Sequence, residues 1–251
     1  MKTPGPVEEF KAHLMAKKRA PATVNRYLAQ LRHMINWAID RGLLERTPFL
    51  DRGRGVRLLR EDNQRYRRLE ADEETRLLSA AADESMMTER LIVALDTGMR
   101  RGEMLQVQNK HILWSEDLIR IIAANTKTHR ERRIPIPTTR LRSVLEKRRF
   151  LGPEAYVLGD EFGERRTEFR SAWLRMLAKA NITDRARGMN GDLHWHDFRH
   201  ECGSRLAEGG VPIHEIQHLM GHRVLITTQR YLNATLDSLK KSVKVLERKA
   251  G

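Results

Sequence analysis

With 251 residues, 40% of them hydrophobic, the chain can bury one sizeable core or two smaller ones, so a purely disordered polymer is excluded. No apolar run reaches the length of a membrane span, residues 1–10 lack the segments of a secretory signal, and the lone Cys202 excludes an internal disulfide and a CxxC zinc site, all of which suits a cytoplasmic protein. The 47 lysines and arginines outnumber the 33 acids by 14, with an isoelectric point near 10.4, and the surplus recurs along the chain instead of filling one tail, so the expected partner is a polyanion met along an extended track.

The first expected elements are helical. Val7 to Met15 reads as a short helix and Pro21 separates it from a second. From Thr23 to Asp40, the apolar residues Val24, Tyr27, Leu28, Leu31, Ile35 and Ala38 recur on one helical face, and Gly42 stands where a C-cap glycine would. Residues 1–50 are therefore expected to form a small helical domain, with Lys17, Lys18, Arg26 and Arg32 offered to nucleic acid. Arginines crowd Asp51 to Arg68 without periodicity, which reads as a basic linker. Gly53-Arg54-Gly55 within it lacks the third glycine and the preceding strand of a dinucleotide-binding loop.

A larger domain is expected over residues 69–235. Asp72 to Ala82 and Glu89 to Asp96 read as helices, and Thr97-Gly98 interrupts before a short helix bearing Arg100 and Glu103. Three short runs, His111 to Trp114, Leu118 to Ala124 and Arg132 to Ile136, read as a small antiparallel sheet with Thr126 to Arg130 as a polar turn. Arg130, Arg132 and Arg133 beside that turn are further expected nucleic-acid contacts. Helices follow at Thr138 to Arg149, Thr167 to Ala180, Asp197 to Glu208, Pro212 to Met220 and Thr227 to Ala234, then a terminal one from Leu236 to Lys249. The fold class is mainly α with a small antiparallel β-sheet (α+β).

Taken singly, the polar residues of this domain are ordinary. Arg100 and Glu103 could be a surface ion pair, His196 and Arg199 a structural pair, and Tyr231 a core tyrosine. Their order is not ordinary: Thr97-Gly98-Met99-Arg100-Arg101-Gly102-Glu103, then Lys127 in the turn, His196-Asp197-Phe198-Arg199-His200, Leu219-Met220-Gly221-His222, and Tyr231. This series resembles the tyrosine recombinase (phage integrase) family, whose pattern is an arginine after a TG turn, a hairpin lysine, an HxxR pair, a histidine in LGH and a tyrosine.

The resemblance spans nearly the whole larger domain, and Ala22 to Thr47 looks like the end of the family's helical, SAM-like core-binding domain. It implies a catalytic set of Arg100, Lys127, His196, Arg199, His222 and Tyr231, with Glu103 as a supporting carboxylate. It also implies site-specific cleavage and rejoining of double-stranded DNA through a 3′-phosphotyrosine, with no metal, cofactor or ATP. A homotetramer on DNA, a nucleoid location in a prokaryotic or phage-infected host, and a terminal segment 236–251 that docks on a neighbouring protomer are further implications. The helical part is shorter than is usual in the family and no arm-site domain is expected before it. Ala71 stands where a capping threonine or serine is common.

The residue types suit that chemistry. A phosphodiester gains charge on its non-bridging oxygens in the transition state, and the guanidiniums of Arg100 and Arg199 can clamp them bidentately. Glu103, at i+3, can orient Arg100; His196 and Arg199, also at i, i+3, would share a helical face. Tyr231 needs cations near its phenol, whose ordinary pKa is about 10, to become a nucleophile. Lys127 can protonate the leaving 5′-oxygen.

A competing motif is His214-Glu215-Ile216-Gln217-His218, which matches the HExxH of zinc peptidases, with His222 one turn further on. The longer metzincin pattern would need histidine where Val224 stands, and five residues with three fixed letters recur by chance far more readily than the ordered series. A basic, DNA-directed chain could also be a type IB topoisomerase-like enzyme, or a DNA-binding regulator without catalysis. A regulator has no use for a tyrosine set among arginines and a general acid.

Overall fold

The computed structural model describes residues 5–49, 55–61, 67–70, 72–125, 130–182 and 193–231. Lys127, Ala71, the segment 236–251 and most of the expected turn lie outside them. The chain divides into two compact units, Met1–Tyr66 and Arg67–Gly251.

The first unit is a helix pair, α1 (Pro6–Ala16) and α2 (Pro21–Asp40), each opened by a proline in its first turn, where the missing N–H costs nothing. Pro21 thus starts the second helix as well as ending the connection. Leu14, Val24, Leu28 and Ile35 meet Phe49 and Val56 in the core. Residues 55–61, read from sequence as linker, pack onto this unit. The reason is Asn25, whose amide gives to Leu59 O and takes from Leu59 N, both at 2.8 Å, and so satisfies an extended backbone that has no sheet partner.

The second unit contains α3 (Glu73–Ala80), α4 (Ser85–Thr97), α5 (Arg101–Met104), α6 (Thr139–Glu146), α7 (Arg170–Lys179), α8 (Asp197–Glu208) and α9 (Ile213–Met220). Strands β1 (Ile112–Leu113), β2 (Leu118–Ile121) and β3 (Arg132–Pro135) make one antiparallel sheet in that order, with Ile119 opposite both Ile112 and Ile134. Helix α4 packs against α6 and α8. Its fully buried Leu91 joins Leu77, Met104, Ile119, Leu141, Leu145, Leu177 and Phe198 in one core. Phe198 also ends an edge-to-face aromatic cluster with Trp195, Trp173 and Phe169, which fixes the start of α8 against α7.

Two expectations about local geometry are corrected. Helix α5 is a single turn, and Arg100 is its N-cap, so Arg100 and Glu103 are joined by a capping arrangement and not by a shared helical face. His196 is likewise the N-cap of α8, one position before the helix that carries Arg199. Of the helix expected from Thr227 to Ala234, the described part is two short 3-10 turns, Leu225–Thr227 and Gln229–Tyr231. Thr228 is completely buried between them, and its hydroxyl meets His222 Nδ1 at 2.9 Å.

Candidate active site

Helix α4 ends on Gly98 in the left-handed conformation, and the chain turns there into Met99 and Arg100. The carbonyl that this turn exposes, Gly98 O, accepts from Arg199 Nη1 at 2.7 Å, and Met220 O at the end of α9 accepts from Arg199 Nη2. One guanidinium on α8 therefore gathers the ends of two other helices. Burial lowers the Arg199 pKa to about 10, with the charge of Arg100 adding to the effect, so the group stays a cation at neutral pH.

Glu103 is buried and shared. Its Oε2 accepts from Arg100 N at 2.9 Å and from Arg132 Nη2 at 2.6 Å; its Oε1 accepts from Arg100 Nη1 at 2.7 Å and from Arg132 Nη1 at 3.2 Å. Burial alone would raise its pKa, but the hydrogen bonds and charge of Arg132, followed by those of Arg100, hold it down at about 2.

Tyr231 packs with Cys202, Ile216 and Met220 and is 4% exposed. Its ring stacks on His222 at 5.8 Å between centroids and meets His200 edge-on at 5.9 Å, while His200 meets His196 at 5.0 Å. Burial raises the phenol's pKa, and the charges of Arg199 and Arg100 with a hydrogen bond from Arg199 pull against it. The His222 imidazole is lowered to about 3, first by burial and then by Arg199 and Arg100. His196 is lowered as well, first by desolvation and then by His200 and Arg199. Both rings are neutral at physiological pH.

Of the residues singled out in the sequence, Arg100, Glu103, His196, Arg199, His222 and Tyr231 thus come together around the ends of α4, α8 and α9. Arg132 departs from its expected part as a DNA contact. Its guanidinium is buried against Glu103, and its Nε gives to Leu219 O at 3.0 Å, because residues at alternate positions of β3 face inward and Glu103 lies there. Arg130 and Arg133 are exposed, Arg133 facing Glu116 at 3.4 Å. In the first unit Lys17, Lys18 and Arg26 are exposed, whereas Arg32 is half-buried over the Phe49 ring at 4.8 Å. Gly203 and Thr228 were given no part by the sequence, and His200 none in the catalytic set. Gly203 lies one turn beyond Arg199, the spacing at which a small residue leaves room on the same helical face.

The HExxH residues take another arrangement. His214 and His218 are exposed on α9 while Ile216 is buried, and no three metal-ligating side chains among the described residues are grouped to hold an ion. A cavity of about 310 Å³ opens between β3 and α9, walled by Arg130, Glu131, His214, His218, His222 and Arg223.

The model of the phage integrase family matches residues 67–237. The chain belongs to the phage integrase family. As a tyrosine recombinase it is a DNA strand-transferring enzyme. It is 24% identical over 224 residues to the tyrosine recombinase XerC of Serratia marcescens, covering 84% of this chain and 68% of that protein. With the tyrosine recombinase XerA of Thermococcus kodakarensis it shares 25% identity, covering 98% and 97% of the two chains. A shufflon-specific DNA recombinase of Escherichia coli is 31% identical over 180 residues, 70% of this chain and 42% of that one. Among solved structures, the Tn1549 transposon integrase in complex with transposon right end DNA aligns with a TM-score of 0.73 at 20% identity, covering 96% and 84% of the two chains. A lambda integrase dimer bound to a COC′ core site aligns at 0.65 and 17% identity, covering 88% and 79%.

Proposed function

We propose that Tyr231 is the nucleophile with which this recombinase cuts DNA, and that Arg100 and Arg199 hold the phosphate it attacks. The observation that carries the reading is the phenol of Tyr231 lying among Arg199, Arg100 and a neutral His222. The Tyr231 oxygen attacks phosphorus, its proton passing to an imidazole, His222 or His196, whose basicity the anionic phosphate bound beside it restores. The bond from phosphorus to the 5′-oxygen breaks, and that oxygen leaves as a hydroxyl with a proton from Lys127. The 3′-phosphotyrosine keeps a phosphoester in place of the one broken, so a 5′-hydroxyl of a second strand can reverse the step with no outside energy source.

Arg100 and Arg199 act on the non-bridging oxygens, where a desolvated guanidinium is worth far more than in water. Lys17, Lys18, Arg26, Arg130 and Arg133 are proposed to follow the phosphate backbone, in keeping with the net charge of +14. DNA-bound relatives such as the Tn1549 integrase support DNA as the partner here. Assembly as a tetramer on DNA and residence on the nucleoid belong to the same proposal.

The test is a nicked suicide duplex drawn from the DNA flanking the chain's own gene. Wild type is expected to accumulate a covalent protein–DNA adduct and Tyr231→Phe to bind the same duplex without forming one. An adduct of normal yield from the Phe variant sinks the assignment.

A further inference from the structure

Glu103 is held by two arginines of unequal exposure. The Arg100 side chain is 26% exposed, whereas that of Arg132 is 4% exposed and has all three of its nitrogens bonded to Glu103 and Leu219 O. We propose that Arg132 is a positioning residue: its buried guanidinium fixes Glu103, and through Glu103 the reach of Arg100, while tying both to the turn that carries His222.

The geometry uses most of the guanidinium fork. Nη1 and Nη2 hold the two oxygens of Glu103 at 3.2 and 2.6 Å, and Nε holds Leu219 O at 3.0 Å. A planar fork with donors on three separate nitrogens spans both oxygens of Glu103 and Leu219 O together, whereas the three donors of an ammonium fan out from a single nitrogen and do not reach across that span. The chain after α9 is pressed onto this side chain. Gly221 has φ +64, and a Cβ there would lie 3.0 Å from Arg132 Nη1 and 3.1 Å from Cδ, so the residue before His222 is one that carries no side chain. Strand β3, helix α5 and the C-terminal end of α9 thus meet at one side chain.

Without Arg132, Glu103 would be a buried carboxylate with a single cationic partner. It would turn fully onto Arg100 or take up a proton, and either change moves the guanidinium that is to meet phosphate. Arg132 acts through other residues and touches neither the phosphate nor the phenol.

The inference rests on the reading of Arg100 as a phosphate clamp, and the test separates the two. The probes are the suicide duplex above and the same duplex with a methylphosphonate at the cleaved position, which lacks one anionic oxygen and so has less need of Arg100. Arg132→Lys, which keeps the charge and loses the fork, should cleave the phosphodiester about 100-fold more slowly, as expected when a group is misplaced by about 1 Å. On the methylphosphonate its deficit should shrink to a few-fold, as should that of Arg100→Ala. Equal slowing on both probes overturns the inference, because a protein that is merely loosened loses both. If Arg132→Lys does not melt cooperatively, Glu103→Gln, which leaves both arginines present, carries the same comparison. If wild type forms no adduct on any flanking duplex, the cleavage reading falls, and a crystal structure of Arg132→Lys decides the positioning role alone. An Arg100 guanidinium unmoved in that structure rejects it, and a displaced one supports it.

Discussion

The ring of Tyr231 occupies the space that a side chain at position 203 would need: a Cβ on Gly203 would lie 2.5 Å from Tyr231 Cε2 and 2.7 Å from Cδ2 and Cζ. Gly203 stands one turn beyond Arg199 on α8, so the helix that buries the guanidinium also seats the phenol. The register between Tyr231 and Arg199 is set by four residues of one helix.

Gly203→Ala should therefore separate stability from chemistry. In an ordinary helix interior the change stabilises by roughly 0.5–1 kcal/mol, since glycine has more backbone freedom to lose. Here the overlap pushes the ring off α8. Adduct formation is expected to fall by about 10- to 100-fold, the cost of misplacing a reacting group, while binding to the same duplex in a filter assay stays near the wild-type level. An unchanged adduct rate would show that the ring does not react from this seat.

Acid should weaken the free protein in two windows, and the signs follow from the shifted groups. His222 lies at about 3 in the fold against 6.5 in the open chain, so below about 6.5 the unfolded chain takes up a proton that the fold refuses. His196 shifts in the same direction. Their full contribution is present above that pH and is lost as pH falls toward the folded value. Glu103, at about 2 against 4.5, adds a second loss beginning near 4.5. Thermal melts from pH 7.5 to 4 should show the melting temperature falling already between pH 6.5 and 5, with a shallower fall in His222→Gln. A slope in that window untouched by His222→Gln would mean that the buried imidazole is not its source.

Periodicity made α2 and α9 readable to within two residues at each end, because each buries an apolar face, and α8 was as readable although Asp197, Arg199, Glu201 and Ser204 are buried on it beside Phe198 and Cys202. Helix α4 begins at Ser85, before the Glu89 expected from sequence, since Ser85 to Thr88 offer one buried residue, Met87, and no capping signal. The ordered polar residues marked the candidate site, and the fold brings Arg100, Glu103, His196, Arg199, His222 and Tyr231 together there. What sequence could not reveal is which arginine is buried against Glu103 and which stays open to solvent. Arg100 and Arg132 are the same residue type in equally basic stretches, and only the inward facing of β3 separates them. Gly203 and Thr228 were illegible for a related reason: their contribution is room and a hydroxyl at a distance fixed by tertiary packing.

The part assigned to Lys127 can be tested by altering the leaving group. An alkoxide is a poor leaving group unless it is protonated as the bond breaks, whereas a thiol, with an ordinary pKa near 8.5, departs as the thiolate without help. With the bridging 5′-oxygen of the suicide duplex replaced by sulfur, Lys127→Ala should recover most of the cleavage rate that it loses on the unmodified duplex. Arg100→Ala should gain far less, because the non-bridging oxygens it serves are unchanged by the replacement. The two modified duplexes thus cross: methylphosphonate relieves the need for Arg100 and bridging sulfur relieves the need for Lys127. Recovery of both variants on the sulfur duplex to the same degree would remove Lys127 from the proton-transfer step and leave it a basic residue that holds the DNA backbone.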